Sequence, residues 1–161
     1  MADQLLTELD AARDDFLDAL EAVDADLVLV HGVVGDWSVR DLVVHVAAWC
    51  EHGAGAIDLA EADRGAEFAY SRADTDAMNE RFAADGQVLS ARDAVSREDA
   101  AFTAFRQRVA ELEPERLKQR LGNGDTVEAV IRYDGPDHYA EHAEHIRSWF
   151  GPDEDDEPDG P

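Results

Sequence analysis

The sequence has little cysteine. Cys50 is the only cysteine among 161 residues, which excludes an intramolecular disulfide and a cysteine zinc cluster. So few thiols are typical of a reducing compartment, and we expect a cytoplasmic protein. No segment approaches the roughly 20 apolar residues of a membrane-spanning helix. The N-terminal residues are acidic and amphipathic, so we also expect no signal peptide.

Positive charge is also scarce. The chain has 14 Lys and Arg residues against 38 Asp and Glu residues, for a net charge of -24, and Lys118 is its single lysine. Such a surface repels phosphate backbones and anionic lipids, which argues against nucleic-acid and membrane partners. An acidic, lysine-poor surface suits a salt-rich cytoplasm, where salt screens the self-repulsion. A GC-biased genome explains the same composition, and the sequence leaves both explanations open.

Apolar residues at helical spacing are the main pattern that the sequence does contain. They predict long helices over residues 3–23, 38–62 and 90–114, and a last helix from Gly135-Pro136 to Phe150-Gly151. A shorter helix is predicted over 74–84, ended by Asp85-Gly86. Four main helices with short connections predict an all-α four-helix bundle with an extra short helix.

Cap residues and turn signals set the ends of these helices. Asp3 is the predicted N-cap of the first helix, and Ser38 and Ser90 each have an aspartate three residues later, as in a capping box. The segment TVEAVIRY is compatible with a strand or a short helix, and the sequence does not decide between them. We expect residues 1–150 to form one bundle and residues 151–161 to be a disordered acidic tail.

The histidines suggest a functional site. On a helix at about 100° per residue, His138, His142, His145 and Trp149 lie within about 40° of one another and form one stripe. The apolar neighbours of this stripe direct it toward the bundle interior or a cleft. His31, in a connection, is expected to have no functional role.

A second group of histidines lies on the second long helix. His45 and His52 are two turns apart, with Trp49 between them, on an inward-looking face. An imidazole pair at i, i+4, such as His138 and His142 on the last helix, can contact one cation. A third nitrogen from a facing helix completes an open three-ligand metal site, for which zinc or nickel is the expected ion.

Two segments carry a family resemblance. GDWSVRDLVVHVAAW, residues 35–49, resembles the second-helix signature of the DinB-like superfamily, and HYAEHAEHIRSW, residues 138–149, resembles its final helix. The resemblance implies that His45, His138 and His142 are the metal ligands, and it places His145 outside them. The intervening segments are similar to a branch that contains the colibactin self-protection proteins.

The resemblance also implies several activities. Similar proteins include mycothiol-dependent maleylpyruvate isomerase, bacillithiol transferases, and hydrolases that open an electrophilic ring. The isomerase type has Glu where this chain has His138, which argues against that specific activity. Our main hypothesis is a metal-dependent thiol transferase, isomerase or hydrolase of small electrophiles, with a low-molecular-weight thiol as a possible cosubstrate.

The residues around the expected metal have predicted supporting roles. In this hypothesis Trp49 and Trp149 form apolar walls, Tyr139 or Glu141 supplies a proton or a hydrogen bond, and His52 and His145 lie around the pocket. Cys50 is expected to be a packed thiol. Two alternatives stay open: a protein that sequesters a toxic small molecule without turnover, and a homodimeric bundle whose histidines contact only one another or acidic side chains.

Overall fold

The structure, a computed structural model, describes residues 2–151. Within this range the secondary structure is helical apart from two isolated β-bridges. The predicted all-α fold is therefore confirmed. In chain order the helices are α1 Ala2–Glu21, α2 Val39–Glu61, α3 Thr75–Gln87, α4 Ala91–Glu111, α5 Val127–Asp134 and α6 Pro136–Phe150. The four longest, α1, α2, α4 and α6, form the bundle, and α3 and α5 are shorter.

Helix α2 lies at the centre of the bundle. Every residue from 41 to 50 is buried, and the helix contacts α3, α4, α5 and α6. A helix that is largely apolar on all sides is stable only when other elements cover it. This position explains how a polar side chain such as His45, in the middle of α2, comes to be 2% exposed.

The cap predictions hold for two of the three helices. The Ser38 side chain accepts a hydrogen bond from the Asp41 backbone N–H, and the Asp41 carboxylate accepts one from the Ser38 backbone, as in a capping box. Ser90 caps α4 by accepting from the Asp93 N–H, and its hydroxyl donates to the Asp93 carboxylate. The prediction for Asp3 was wrong, because α1 begins at Ala2 and places Asp3 in its first turn, where a carboxylate favours the helix dipole.

One helix end differs from the sequence prediction, and the structure decides one alternative that the sequence left open. Helix α3 continues through Asp85-Gly86 to Gln87, because Gly86 is buried against Val44 of α2 and its packing outweighs its low helix propensity. The segment TVEAVIRY is helical: Thr126 accepts a hydrogen bond from Ala129 N–H and begins α5. The bundle therefore has two short additional helices rather than one.

Arginine–carboxylate pairs connect the helices. The innermost pair involves Glu98, which is 1% exposed and accepts hydrogen bonds from Arg13 Nε and Nη2, each at 2.9 Å. The Tyr139 hydroxyl donates to the same carboxylate at 2.5 Å, so this network joins α1, α4 and α6. More exposed pairs also join different helices: Arg97–Glu51, Arg106–Asp10, Arg108–Asp58, Arg132–Glu8 and Arg147–Asp15.

Except for Gly151, the tail predicted to be disordered, residues 151–161, lies outside the described residues. Among the helices of residues 2–151, none has the length and apolar character that a bilayer crossing requires.

A candidate metal centre between the second and last helices

Three histidines from two helices meet inside the bundle. His45 of α2 and His138 and His142 of α6 can each offer one ring nitrogen, and these nitrogens all lie within 4.8 Å of one another. Each pair of ring centroids is 4.8 Å apart. The structure thus brings together residues that are 93 positions apart in the sequence, and the trio could hold a metal ion.

Hydrogen bonds orient one of these rings. The Nδ1 atom of His138 lies 3.2 Å from the Tyr133 carbonyl oxygen, which can only accept, so Nδ1 carries the proton. The Nε2 atom of His138 then has a lone pair, and it lies 2.7 Å from Nε2 of His45. A backbone partner at the second nitrogen is the usual support of a metal-ligating histidine.

The ring of His45 is held differently. Its Nδ1 atom is buried and has no hydrogen-bond partner among the described residues. Because Nε2 of His138 carries a lone pair, the 2.7 Å contact makes Nε2 of His45 the donor in the metal-free trio. A cation bound by the trio would replace this proton, although Nδ1 of His45 lacks the supporting partner that His138 has.

Burial keeps the three imidazoles neutral. It lowers the pKa of His45 to about 2, with a smaller contribution from the nearby His138. Burial likewise lowers the pKa of His142 well below its usual value and lowers that of His138. Metal ions bind the deprotonated imidazole, so these rings are in the right form at neutral pH. Three nitrogen donors with an open position fit zinc or another borderline cation.

Two tryptophans surround the trio. The Trp37 ring centroid is 4.7 Å from that of His45, and the Trp49 centroid is 5.7 Å from that of His138. Trp49 Nε1 donates to Asn79 Oδ1 at 3.1 Å, which fixes the indole. Trp49 was predicted to form an apolar wall of the site, and its ring lies beside that of His138. Sequence reasoning did not assign Trp37 to the site, because a residue just before a helix cap has no helical face to indicate its direction.

The histidine stripe of the last helix becomes more exposed from His142 toward its C-terminal end. His142 is buried, His145 is partly exposed, and Trp149 is 48% exposed. His145 Nδ1 lies 3.1 Å from His142 Nδ1, beside the three histidines whose nitrogens converge. The Trp149 indole instead lies so close to Gly32 that a Cβ there would be 2.8 Å from it. This placement corrects the prediction that Trp149 forms a wall of the site.

A cleft of about 690 Å³ opens beside His138. Its wall also contains Trp49 and Glu141, two of the predicted pocket residues. Four carboxylates line it, from Asp125, Asp134, Asp137 and Glu141, and no lysine or arginine is among the described lining residues. The remaining polar and aromatic wall comes from Tyr70, Ser71, Thr75, Asn123 and Tyr133.

Tyr139 and Cys50 do not line this cleft. The Tyr139 ring is wholly buried, its hydroxyl donates to Glu98, and it does not line the cleft in which Tyr139 or Glu141 was expected to supply a proton or a hydrogen bond. The Cys50 thiol lies 3.5 Å from the Tyr139 hydroxyl, and burial raises its pKa to about 12. Cys50 is therefore a packed thiol, as its sequence position indicated.

The two remaining histidines lie away from the trio. The His31 side chain is exposed and its Nδ1 contacts the Asp36 carbonyl oxygen. His52, on α2, has Nδ1 2.7 Å from Oδ2 of Asp134. Asp134 was not recognised in the sequence as a site residue. Asp134 lies four residues before His138, which was the available signal. The signal could not be used, because the preceding segment was compatible with a strand as well as a helix.

The fold and the trio together define a helical-bundle protein with a candidate histidine metal centre. The chain belongs to the DinB superfamily, whose family profile matches residues 8–149. The structure is similar to that of an uncharacterised protein from Escherichia coli UTI89, with a TM-score of 0.79, 18% sequence identity and 92% of each chain covered. At this identity the likeness shows a shared fold alone. No curated protein matches the sequence.

Proposed function

We propose that this protein is a metal-dependent enzyme that acts on a small electrophile by thiol transfer, isomerisation or hydrolysis. The observation that carries the proposal is the meeting of three neutral imidazoles, those of His45, His138 and His142, of which His138 lines a cleft of about 690 Å³. In this proposal the three side chains are the ligands of one divalent ion, zinc or nickel. The cleft receives the substrate.

A bound divalent ion lowers the pKa of a coordinated water or thiol, so that a nucleophilic anion exists near neutral pH. The protein contributes the surroundings of that nucleophile. Trp49, fixed by Asn79, supplies a flat apolar wall, and His138 is oriented by the Tyr133 carbonyl oxygen. Burial of the trio excludes competing solvent and strengthens electrostatic interactions within it.

The charge of the cleft restricts the substrate. Four carboxylates without a basic counterpart in the described lining disfavour a polyanionic substrate and favour a neutral or cationic one. A strongly anionic low-molecular-weight thiol meets the same repulsion. The proposed cosubstrate, where the reaction uses one, is a thiol of low net charge.

Metal analysis of protein prepared without a histidine tag tests the centre. After incubation with zinc or nickel and dialysis, we expect about one ion per chain by mass spectrometry. His45→Ala, His138→Ala and His142→Ala should each lose the ion, whereas His31→Ala, at an exposed histidine, should keep it. Circular dichroism verifies that each variant is folded. Wild-type protein that retains no ion would refute the proposed centre.

The catalytic part has its own assay. Metal-loaded protein is given 1-chloro-2,4-dinitrobenzene with cysteine, or 4-nitrophenyl acetate in water, and product release is followed by absorbance. With at least one probe, we expect a rate above background. This rate should disappear in His142→Ala and be unchanged in His31→Ala. Stoichiometric metal with a background rate for both probes would count against turnover and favour sequestration of a small molecule.

A further inference from the structure

A histidine–carboxylate pair lies close to the candidate metal centre but does not belong to it. His52 extends from α2 and is 14% exposed at its side chain, while Asp134, at the end of α5, is 0% exposed. The Nδ1–H of His52 donates to Oδ2 of Asp134 at 2.7 Å. A carboxylate that accepts from Nδ1 leaves the lone pair on Nε2, the tautomer of a general base.

His52 lies at the wall of a cavity that a substrate can occupy. His52 lines a cavity of about 870 Å³, which shares Tyr70 with the cleft beside His138. The Trp49 ring lies between the two histidines, with its centroid 5.0 Å from that of His52 and 5.7 Å from that of His138. One indole therefore separates the pair from the proposed metal ligands.

The buried carboxylate of this pair has a free-energy cost that a purely structural contact would not require. Oδ1 of Asp134 is buried and has no hydrogen-bond partner among the described residues. Burial raises the pKa of Asp134 to about 6, while the hydrogen bond from His52 opposes that increase. A buried carboxylate with one unpaired oxygen destabilises the fold, which is typical of groups kept for a chemical role.

We propose that His52 is the proton-transfer residue of the cavity of about 870 Å³ that it lines, and that Asp134 is the positioning residue that holds its tautomer. The inference rests on the proposed function, because its substrate is the electrophile proposed for the adjoining cleft. In hydrolysis, the O–H bond of water breaks as its oxygen bonds to the electrophilic carbon. The proton forms a new bond to His52 Nε2, the leaving group departs with its electron pair, and Nε2 releases the proton to solvent.

Hydrolysis of 4-nitrophenyl acetate by the full-length, metal-loaded protein tests the pair. His52→Asn retains an N–H in place of Nδ1–H and lacks Nε2, so it removes the base with little change to the contact with Asp134. We expect the rate constant to fall on the order of a hundredfold, with no change in His31→Asn. A wild-type rate no higher than that of His52→Asn, including one at the buffer background, overturns the proposal.

A second variant tests the positioning role. In Asp134→Asn the amide can donate to Nδ1, which favours the wrong tautomer, and we expect a loss of about tenfold or more. Long-range ¹⁵N NMR should show Nε2 of His52 unprotonated in wild-type protein and protonated in Asp134→Asn. A folded Asp134→Asn variant with an unchanged tautomer and rate contradicts the role of Asp134.

Metal analysis of the same samples separates this inference from the proposed function. His52→Asn and Asp134→Asn should keep the ion, whereas His142→Ala should lose it. A rate lost in His142→Ala and kept in His52→Asn refutes the pair and leaves the metal centre standing. A rate lost in His52→Asn from protein that never binds an ion refutes the metal centre instead.

Discussion

The buried trio makes the metal-free protein sensitive to mild acid, and His45 allows the effect to be calculated. Burial lowers the pKa of His45 to about 2 in the folded state, whereas an unfolded histidine has a pKa of about 6.5. A group whose folded pKa is depressed contributes stability that is present above the unfolded value and is lost as pH falls. Between pH 7 and pH 5 the unfolded chain gains a proton at this residue and the folded chain does not.

The expected loss from His45 alone is about 2 kcal/mol of unfolding free energy over this interval. His142, whose pKa is also well below its usual value, adds a loss of the same sign. Asp134 acts oppositely: its pKa is raised to about 6, so its protonation returns about 1 kcal/mol as pH falls. Because Asp134 is common to the proteins compared, its contribution cancels in a difference between wild-type protein and a His45 variant.

Urea unfolding at pH 7 and pH 5, with a chelator present, measures this difference. Wild-type protein should lose about 2 kcal/mol more than His45→Gln does between the two pH values. His31→Gln, which changes an exposed histidine, should behave as wild type. Equal losses in wild-type protein and His45→Gln would mean that His45 titrates normally, and the argument from its burial would be wrong.

Three further outcomes follow from contacts described above. Glu98→Ala should cost about 3–5 kcal/mol in urea unfolding, because Arg13 and Tyr139 lose their buried partner; a loss below 1 kcal/mol would contradict the network. Native protein should resist iodoacetamide at Cys50, whose thiol is buried with a raised pKa, and urea-unfolded protein should react at once. Ser38→Ala should cost about 1 kcal/mol by removing the α2 cap, and an unchanged stability would show the cap to be dispensable.

The sequence was most informative where one helix supplied the whole pattern. The spacing of His138, His142 and His145 fixed their common face, and Ser38 with Asp41 marked the beginning of α2 to the residue. Helical periodicity is a local property, so it can be read without knowing which elements are neighbours. The meeting of His45 with the last helix came from the family resemblance rather than from spacing.

The errors came from contacts between elements. Tyr139 is on the last helix beside His138, but its hydroxyl meets Glu98 of α4, a partner that no spacing within α6 could indicate. Trp149 shares the histidine stripe, yet α6 extends beyond the trio and its ring reaches Gly32 in the preceding connection. Asp134 became a partner of His52 because α5 and α2 pack together, and its segment was compatible with a strand as well as a helix.

The placement of the tryptophans gives this protein an optical signal of its own. Trp37 and Trp49 each lie within 6 Å of an imidazole of the trio, measured between ring centroids, whereas Trp149 is half exposed near Gly32. Quenching by nickel bound at the trio would therefore act on two of the three indoles and leave a solvent-exposed emitter as an internal reference. Titrations of label-free protein can thus be followed by intrinsic fluorescence, with the blue and red sides of the emission band reporting the buried and exposed rings separately.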